Sequence, residues 1–227
     1  MQRIQPPQTT IGMTAVAWAL LTLAVAFAVT DWIGVARSDS RLRWIGKPGA
    51  LLLLIGAALS LSPFSTSQRE IFVAALLLAF VGDVFLLLEG ERWFLAGLAA
   101  FLGAHLAYID GFLVGGLHPE RPLVYAGVAV AAVSLLAGGR IVSAVVRRRR
   151  HGLALAVILY TAAITAMVGL AAASGNPLAL GGALLFYLSD ALIAWNRFVR
   201  PLGWAKLPII VTYHLAQAAL VLSLALR

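Results

Sequence analysis

The sequence predicts an all-α membrane protein with eight transmembrane helices. Of its 227 residues, 62% are hydrophobic and 11% are charged, whereas a soluble domain carries about 25% charged residues. The apolar residues form long runs separated by glycine, proline and charged clusters, and about 20 helical residues are enough to cross a bilayer. These observations leave almost no sequence for a soluble domain.

The apolar runs define the predicted elements in order. Residues 1–10 are polar, contain Pro6-Pro7 and are expected to form a disordered tail, and a single transmembrane domain follows over residues 11–227. The first run is long for a signal peptide and follows a single basic residue, so we expect a retained helix. The eight predicted helices cover residues 11–30, 45–61, 70–88, 93–115, 122–137, 152–173, 177–195 and 207–226. The fifth is interrupted by Gly138-Gly139-Arg140 and can continue to Val146.

The net charge of +8 is interpreted as an orientation signal rather than a nucleic-acid site. Four of the 17 basic residues fall on the side of the predicted termini and the other thirteen fall on the opposite side. Cytoplasmic loops are enriched in lysine and arginine. We therefore expect an integral protein of the plasma membrane, the inner membrane of a bacterium, with both termini outside. The chain has no cysteine, which excludes disulfides, thiolate metal sites and a cysteine nucleophile.

Two aspartates lie inside apolar helices. Asp83 interrupts the run Phe80–Leu88, and Asp190 interrupts Leu185–Ile193. At about 1.5 Å per residue, each lies roughly 10 Å inside the predicted cytoplasmic boundary. An ionisable group within the membrane is costly and marks a functional site by default. Two unpaired acids at matched depth therefore indicate one site, and structural ion pairs with basic residues are the alternative.

The surroundings of the two aspartates suggest an internal repeat. Asp83 is followed 22 residues later by His105-Leu106-Ala107, and Asp190 is followed 24 residues later by His214-Leu215-Ala216. An offset of four helices preserves orientation, so the pattern predicts two parallel halves of four helices each.

Other polar side chains are predicted to line the same cavity, open towards the cytoplasmic leaflet. The substrate-binding candidates are Lys47, His105, Tyr108, Tyr160, Ser189, Tyr213, His214 and Gln217. Lys47, at the predicted mouth of helix 2, is the natural partner of a phosphate headgroup. The histidines are equally suited to helix–helix hydrogen bonds, and the tyrosines to packing. The basic cluster Arg147–Arg150 fits a topology determinant, with recruitment of anionic lipid as its alternative.

At these residues the sequence resembles the YhhN family of lysoplasmalogenase-type membrane proteins. The resemblance covers nearly the whole chain in order. The matching segments are Lys47-Pro48, Gly82-Asp83, Gly97-Leu98, His105-Leu106-Ala107-Tyr108, Ser189-Asp190-Ala191 and Tyr213 with Gln217. It implies eight transmembrane helices and an ether hydrolase that needs no cofactor. The implied substrate is a lysoplasmalogen or a related lysolipid, cleaved at its vinyl ether to a fatty aldehyde and a glycerophospho-ethanolamine or -choline. The resemblance assigns the chemistry to Asp83 and Asp190.

That chemistry suits two carboxyl groups. A vinyl ether is protonated at carbon, water captures the resulting oxocarbenium ion, and the hemiacetal collapses to aldehyde and alcohol. Burial favours the neutral form of a carboxyl group, and two neighbouring carboxyl groups lose their protons in separate steps. We expect one of Asp83 and Asp190 to be the general acid and the other the general base, as in inverting glycosidases, with neither role assigned.

Four other functions fit parts of the sequence. A small-solute or proton-coupled transporter would also use intramembrane acids and a repeat. A zinc hydrolase could use Asp83, Asp190, His105 and His214 as ligands, although their depths fit poorly. An intramembrane aspartyl protease is disfavoured by Phe80, where those enzymes have glycine. A structural or lipid-binding module is expected instead if both acids are ion-paired.

Overall fold

The computed structural model describes residues 12–147, 149 and 151–226, and all regular structure in these residues is helical. The helices are α1 (Ala15–Arg37), α2 (Ser40–Ser60), α3 (Thr66–Leu87), α4 (Glu91–Gly115), α5 (Arg121–Arg147), α6 (His151–Ala173), α7 (Pro177–Ala194) and α8 (Lys206–Leu222), with a short π-helix (Trp195–Val199) directly after α7. The predicted N-terminal tail and two arginines of the basic cluster, Arg148 and Arg150, lie outside the described residues.

Six segments are long and apolar enough to cross a membrane. They are α1, α2, α3, α4, Gly152–Ala173 within α6, and Pro177–Val199, which joins α7 to the π-helix. Helix α8 is apolar but shorter. The prediction of an all-helical membrane protein is thus confirmed. Of the eight predicted spans, six are long and apolar enough to cross a membrane in the described part of the chain.

Helix ends differ from the predicted ones where polar residues belong to the helix. The side chain of Asp39 accepts hydrogen bonds from the backbone of Arg41 and Leu42, so α2 begins at Ser40 rather than at residue 45. Helix α1 continues beyond residue 30 to Arg37. Helix α5 runs on through its glycine pair to Arg147, which confirms the predicted extension. These shifts bring Asp31 inside α1 and place Lys47 two turns from the start of α2 rather than in its first turn.

Consecutive helices pack as hairpins, α1 with α2, α3 with α4, α5 with α6 and α7 with α8. Helix α8 also packs against α1 and α2, and α4 packs against α6. Close approach depends on small residues, as expected for helices in a membrane. A Cβ atom on Gly46 would clash with the backbone nitrogen of Asp31, so only glycine permits this contact between α1 and α2.

The two described ends of the chain meet at one end of the bundle. The backbone N–H of Gly12 donates to the carbonyl of Ala225 (3.4 Å), and the N–H of Ser62 donates to the carbonyl of Gly12 (2.7 Å). The side chain of Asn176, which caps α7, donates to the carbonyl of Ser223 (3.0 Å). The α2–α3 loop and the α6–α7 turn therefore lie at the same end as residues 12 and 225.

Candidate active site

Asp83 lies on α3 in the interior of the bundle and is fully buried. Its Oδ1 atom lies 2.8 Å from Lys47 Nζ on α2, and its Oδ2 atom accepts a hydrogen bond of 2.7 Å from the Tyr213 hydroxyl on α8. Lys47 and Tyr213 are buried as well. We call these three residues the Asp83 cluster. A buried ion pair is costly to disrupt, because loss of either partner leaves an uncompensated charge.

The position of Lys47 corrects a prediction. The sequence places it at the mouth of helix 2, but α2 begins at Ser40, so Lys47 lies two turns inside the helix and is 5% exposed. Its ammonium group is neutralised by Asp83. It is therefore a member of the Asp83 cluster rather than a surface cation.

Asp190 lies on α7 with different partners. Its Oδ2 atom accepts a hydrogen bond of 2.6 Å from the Tyr160 hydroxyl on α6 and lies 2.9 Å from His105 Nε2 on α4. His105 Nε2 also lies 3.2 Å from the Tyr160 hydroxyl. We call these three residues the Asp190 cluster. One proton between Asp190 and His105, carried by the carboxyl group or by the imidazole, makes the hydrogen bond between them. The pair can therefore give or take a proton.

Asp190 also faces a cavity. Its side chain is 12% exposed, and it lines a narrow cavity of about 60 Å³ between α3, α4, α5, α6, α7 and the π-helix. Most of the wall is apolar, and Tyr160 contributes a further polar group. The apolar lining includes Leu86, Phe94, Leu98, Phe101, Ile141, Val157, Ile164, Ile193 and Phe198. A largely apolar cavity with a few convergent polar groups is the usual form of a small-molecule site.

The two aspartates do not share a cavity. No hydrogen bond or ion pair joins Asp83 to Asp190 in the described part of the chain, and Asp83 does not line the cavity at Asp190. The buried ring of Phe186 connects their clusters, with its centroid 4.7 Å from that of His105 and 5.5 Å from that of Tyr213. The expectation of two unpaired acids is wrong, because each has a basic partner.

The remaining predicted residues make interhelical hydrogen bonds. The Tyr108 hydroxyl on α4 donates to Gln217 Oε1 on α8 (2.6 Å), and both are fully buried. The Ser189 hydroxyl donates to the carbonyl of Ile209 (3.0 Å). His214 Nδ1 accepts a hydrogen bond of 3.0 Å from the indole N–H of Trp32 on α1. His214 is thus separate from the Asp190 cluster, and the proposed zinc ligands do not converge on one point.

A third buried acid was missed at the sequence level. Asp31 on α1 is fully buried, and its Oδ1 atom lies 3.6 Å from Arg43 Nε on α2. The predicted first helix ended at residue 30, which left Asp31 in a loop. The apolar residues Ile33 and Val35 beyond it are the signal that the helix continues.

Both acids have a basic partner, as a structural module would require, but they differ in their exposure. Asp83 is enclosed, with both oxygens engaged. Asp190 keeps partial exposure to an apolar cavity, which a purely structural ion pair does not require. The Asp190 cluster is therefore the stronger candidate for chemistry.

Comparison with known proteins agrees with the resemblance in the sequence. The sequence model of the YhhN family matches residues 42–224. The chain is 34% identical over 207 residues to human lysoplasmalogenase TMEM86B, covering 90% of this chain and 83% of that protein. It is 31% identical over 182 residues to human lysoplasmalogenase TMEM86A, covering 76% of this chain and 72% of that protein. A lysoplasmalogenase of Mycobacterium tuberculosis is 31% identical over 179 residues, covering 77% of this chain and 66% of that protein. No solved structure matches the chain.

Proposed function

The chain belongs to the YhhN family, and from this premise we propose that it hydrolyses the vinyl ether bond of a lysoplasmalogen or a closely related lysolipid. The products are a fatty aldehyde and a glycerophospho-ethanolamine or glycerophosphocholine. Relatives named lysoplasmalogenase that are similar over most of the chain support this activity. The enzyme acts on ether bonds and meets its substrate in the membrane.

The observation that carries the proposal is the position of Asp190 in the wall of the apolar cavity. An alkenyl chain can pass from the lipid tails into such an apolar cavity without exposing apolar surface to water. The vinyl ether at its head is then next to a carboxyl group that is hydrogen-bonded to Tyr160 and His105. A reacting bond and a proton donor are thereby held in one place, which is the main requirement of general acid catalysis.

We propose the following proton transfers. The protonated Asp190–His105 pair gives a proton to the vinyl carbon next to the alkyl chain. The Asp190 carboxylate then stabilises the positive charge on the adjacent carbon and oxygen. Water adds to that carbon, and its released proton returns to the Asp190–His105 pair. The hemiacetal collapses by transferring its hydroxyl proton to the glycerol oxygen as the carbon–oxygen bond breaks.

Asp83 has a different part in this proposal. The sequence suggested that both aspartates act on the substrate as acid and base. The enclosure of Asp83 by Lys47 and Tyr213 supports a positioning role, in which the Asp83 cluster holds α2, α3 and α8 together. Phe186, which contacts both clusters, transmits that position to His105.

The membrane arrangement is also a proposal. We infer that all eight long helices cross the bilayer, with both termini outside and the Asp190 cavity nearer the cytoplasmic face of the plasma membrane. The contact between Gly12 and Ala225 supports an even number of spans. The hairpins α3–α4 and α7–α8 support a parallel repeat of four helices, which superposition of the two halves in an experimental structure would test.

The test uses the purified protein in detergent. Lysoplasmalogen and an acyl lysophospholipid are offered separately, and aldehyde and fatty acid are measured. We expect aldehyde from the first lipid only, with the rate reduced about 100-fold or more in Asp190→Asn. The exposed acid Asp110 on the neighbouring helix α4 provides a matched control, Asp110→Asn, which should retain activity.

Three results would contradict the proposal in different ways. Fatty-acid release from the acyl lipid would change the bond that is cleaved. Unchanged aldehyde release by Asp190→Asn would exclude the Asp190 cluster. Absence of product from both lipids, together with solute uptake into liposomes, would favour the transporter.

A further inference from the structure

Three arginines surround a second pocket next to the Asp190 cavity. Arg140 and Arg147 on α5 and Arg200 after the π-helix line this pocket together with Gly139, Ser143, Trp195 and Val199. All three arginines are exposed. None takes part in an ion pair among the residues that the structure describes. We call this the arginine pocket.

The charge of the arginine pocket suits an anion. Helix α5 and the π-helix both end near it, and a helix C-terminus carries about half a negative charge. Three guanidinium groups outweigh two such ends and leave a net positive site. Guanidinium groups bind phosphate oxygens through paired hydrogen bonds, so a phosphate ester is the chemical group that fits best.

The arginine pocket and the Asp190 cavity border the same two elements, α5 and the π-helix. On α5, Gly138 and Ile141 line the cavity while Arg140 lines the arginine pocket. On the π-helix, Phe198 lines the cavity while Val199 lines the arginine pocket. The arginines of α5 lie on the side of the helix opposite Gly138 and Ile141, so a molecule that occupies both sites must pass its anionic head around the boundary between α5 and the π-helix.

The Asp83 cluster cannot supply a cation to bind the phosphate. Lys47 is buried and already neutralised by Asp83, so a phosphate near Asp190 needs a different partner. From Asp190 to Arg200 the chain advances ten residues, five of them in the π-helix, which is at most about 15 Å at the α-helical rise. The glycerol phosphate of a lysolipid and an extended arginine side chain span this interval together.

We infer that Arg140, Arg147 and Arg200 bind the phosphate of the lysolipid whose alkenyl chain occupies the Asp190 cavity. This inference rests on the proposed function, and it adds the three arginines as the residues that select substrates with a phosphate group. It predicts that the enzyme prefers lysoplasmenylcholine to 1-alkenylglycerol, which has the same vinyl ether but no phosphate.

The test compares both substrates in the full-length protein in nanodiscs of phosphatidylcholine. In Arg140→Gln with Arg200→Gln, we expect KM for lysoplasmenylcholine to rise about tenfold or more with kcat little changed, since a hydrogen bond to a charged group contributes that much. KM for 1-alkenylglycerol should stay the same. Arg41→Gln, an exposed arginine at the start of α2, removes a charge without touching the pocket and should change neither KM.

A second measurement separates the phosphate of the substrate from that of bulk lipid. In the alternative, the arginines act only by attracting lysolipid to anionic membranes. The double variant and Arg41→Gln then lose activity to the same extent, and they do so only when phosphatidylglycerol is added to the nanodiscs. That result would overturn the inference. An equal rise in KM for both substrates in the double variant would overturn it too.

Binding without turnover separates this inference from the proposed function. A saturated alkyl lysophosphocholine has no vinyl ether, and its binding can be measured by calorimetry in wild type and in the double variant. Weaker binding in the double variant supports the arginine pocket even if no lipid is cleaved. Equal binding in both proteins overturns the pocket even if lysoplasmalogen is hydrolysed.

Discussion

Lys47 Nζ lies 2.8 Å from Asp83 Oδ1 in the interior of the helix bundle, with the lysine 5% exposed and the aspartate fully buried. The pair joins α2 to α3, and the hydrogen bond from Tyr213 to Asp83 adds α8. Removal of one charge from such a site leaves the other without compensation. The Asp83 cluster is therefore expected to govern stability more directly than chemistry.

The first prediction concerns this ion pair. Asp83→Asn should lower the free energy of unfolding by about 3 kcal/mol, because Lys47 then remains charged and unpaired in the interior. Combining it with Lys47→Met should recover most of the loss, since asparagine still accepts the hydrogen bond from Tyr213. Thermal unfolding of the single and double variants in detergent measures the coupling. Additive losses in the double variant would show that the pair does not stabilise the fold.

The second prediction concerns Asp31. Neither of its carboxylate oxygens has a hydrogen-bond partner among the described residues, and Arg43 lies 3.6 Å away with its side chain 35% exposed. A buried carboxylate with so little compensation is costly, whereas Arg43 can be solvated without it. Asp31→Asn should therefore leave the melting temperature unchanged or raise it.

The decisive measurement compares the stability lost on replacing each of the two aspartates with asparagine. Asp31→Asn and Asp83→Asn each remove one buried negative charge, and only the second leaves a closely bonded ammonium group behind. A large destabilisation by Asp31→Asn, equal to that of Asp83→Asn, would mean that Asp31 is part of the same essential ion network as Lys47.

The limits of sequence-based prediction follow from these residues. The apolar runs identified every long helix in the described chain, because a membrane helix must satisfy its backbone hydrogen bonds within itself and is recognised by its hydrophobic length. Hydropathy fails where a polar residue belongs to a helix. It ended the first predicted helix before Asp31 and began the second too late to bury Lys47.

The sequence singled out the members of both polar clusters but not which of them pair. Asp83, Asp190, His105, Tyr160 and Tyr213 were all selected because polar groups are rare in membrane helices. Which of them meet depends on helix rotation and packing, which small residues and aromatic rings determine and which depth alone does not specify. Equal depth suggested one cavity, whereas Phe186 lies in contact with two separate clusters.

The third prediction concerns the Asp190 cavity. Leu98 on α4 lines it, and Leu98→Trp should reduce the space for the alkenyl chain. We expect KM to rise more for long-chain than for short-chain lysoplasmalogens, with aldehyde release measured over a series of chain lengths. Leu106, on the same helix but 53% exposed, supplies the control Leu106→Trp. Equal effects of both substitutions, or no dependence on chain length, would exclude this cavity as the chain site.

The last prediction concerns orientation in the membrane. The chain has no cysteine, so single cysteines can be introduced and labelled without further changes. Ser38, between α1 and α2, and Ser62, between α2 and α3, are both exposed and lie at opposite ends of α2. The excess of basic residues on the Ser38 side predicts that this side is cytoplasmic.

A membrane-impermeant maleimide applied to intact cells should therefore label Ser62→Cys, whereas Ser38→Cys should react only after the membrane is permeabilised. Labelling of Ser38→Cys alone in intact cells would reverse the orientation and move the Asp190 cavity to the outer leaflet. The arginine pocket would then face lysolipids that arrive from outside the cell. Because both cysteines flank one helix, equal labelling of the two in sealed cells would show instead that α2 does not span the bilayer.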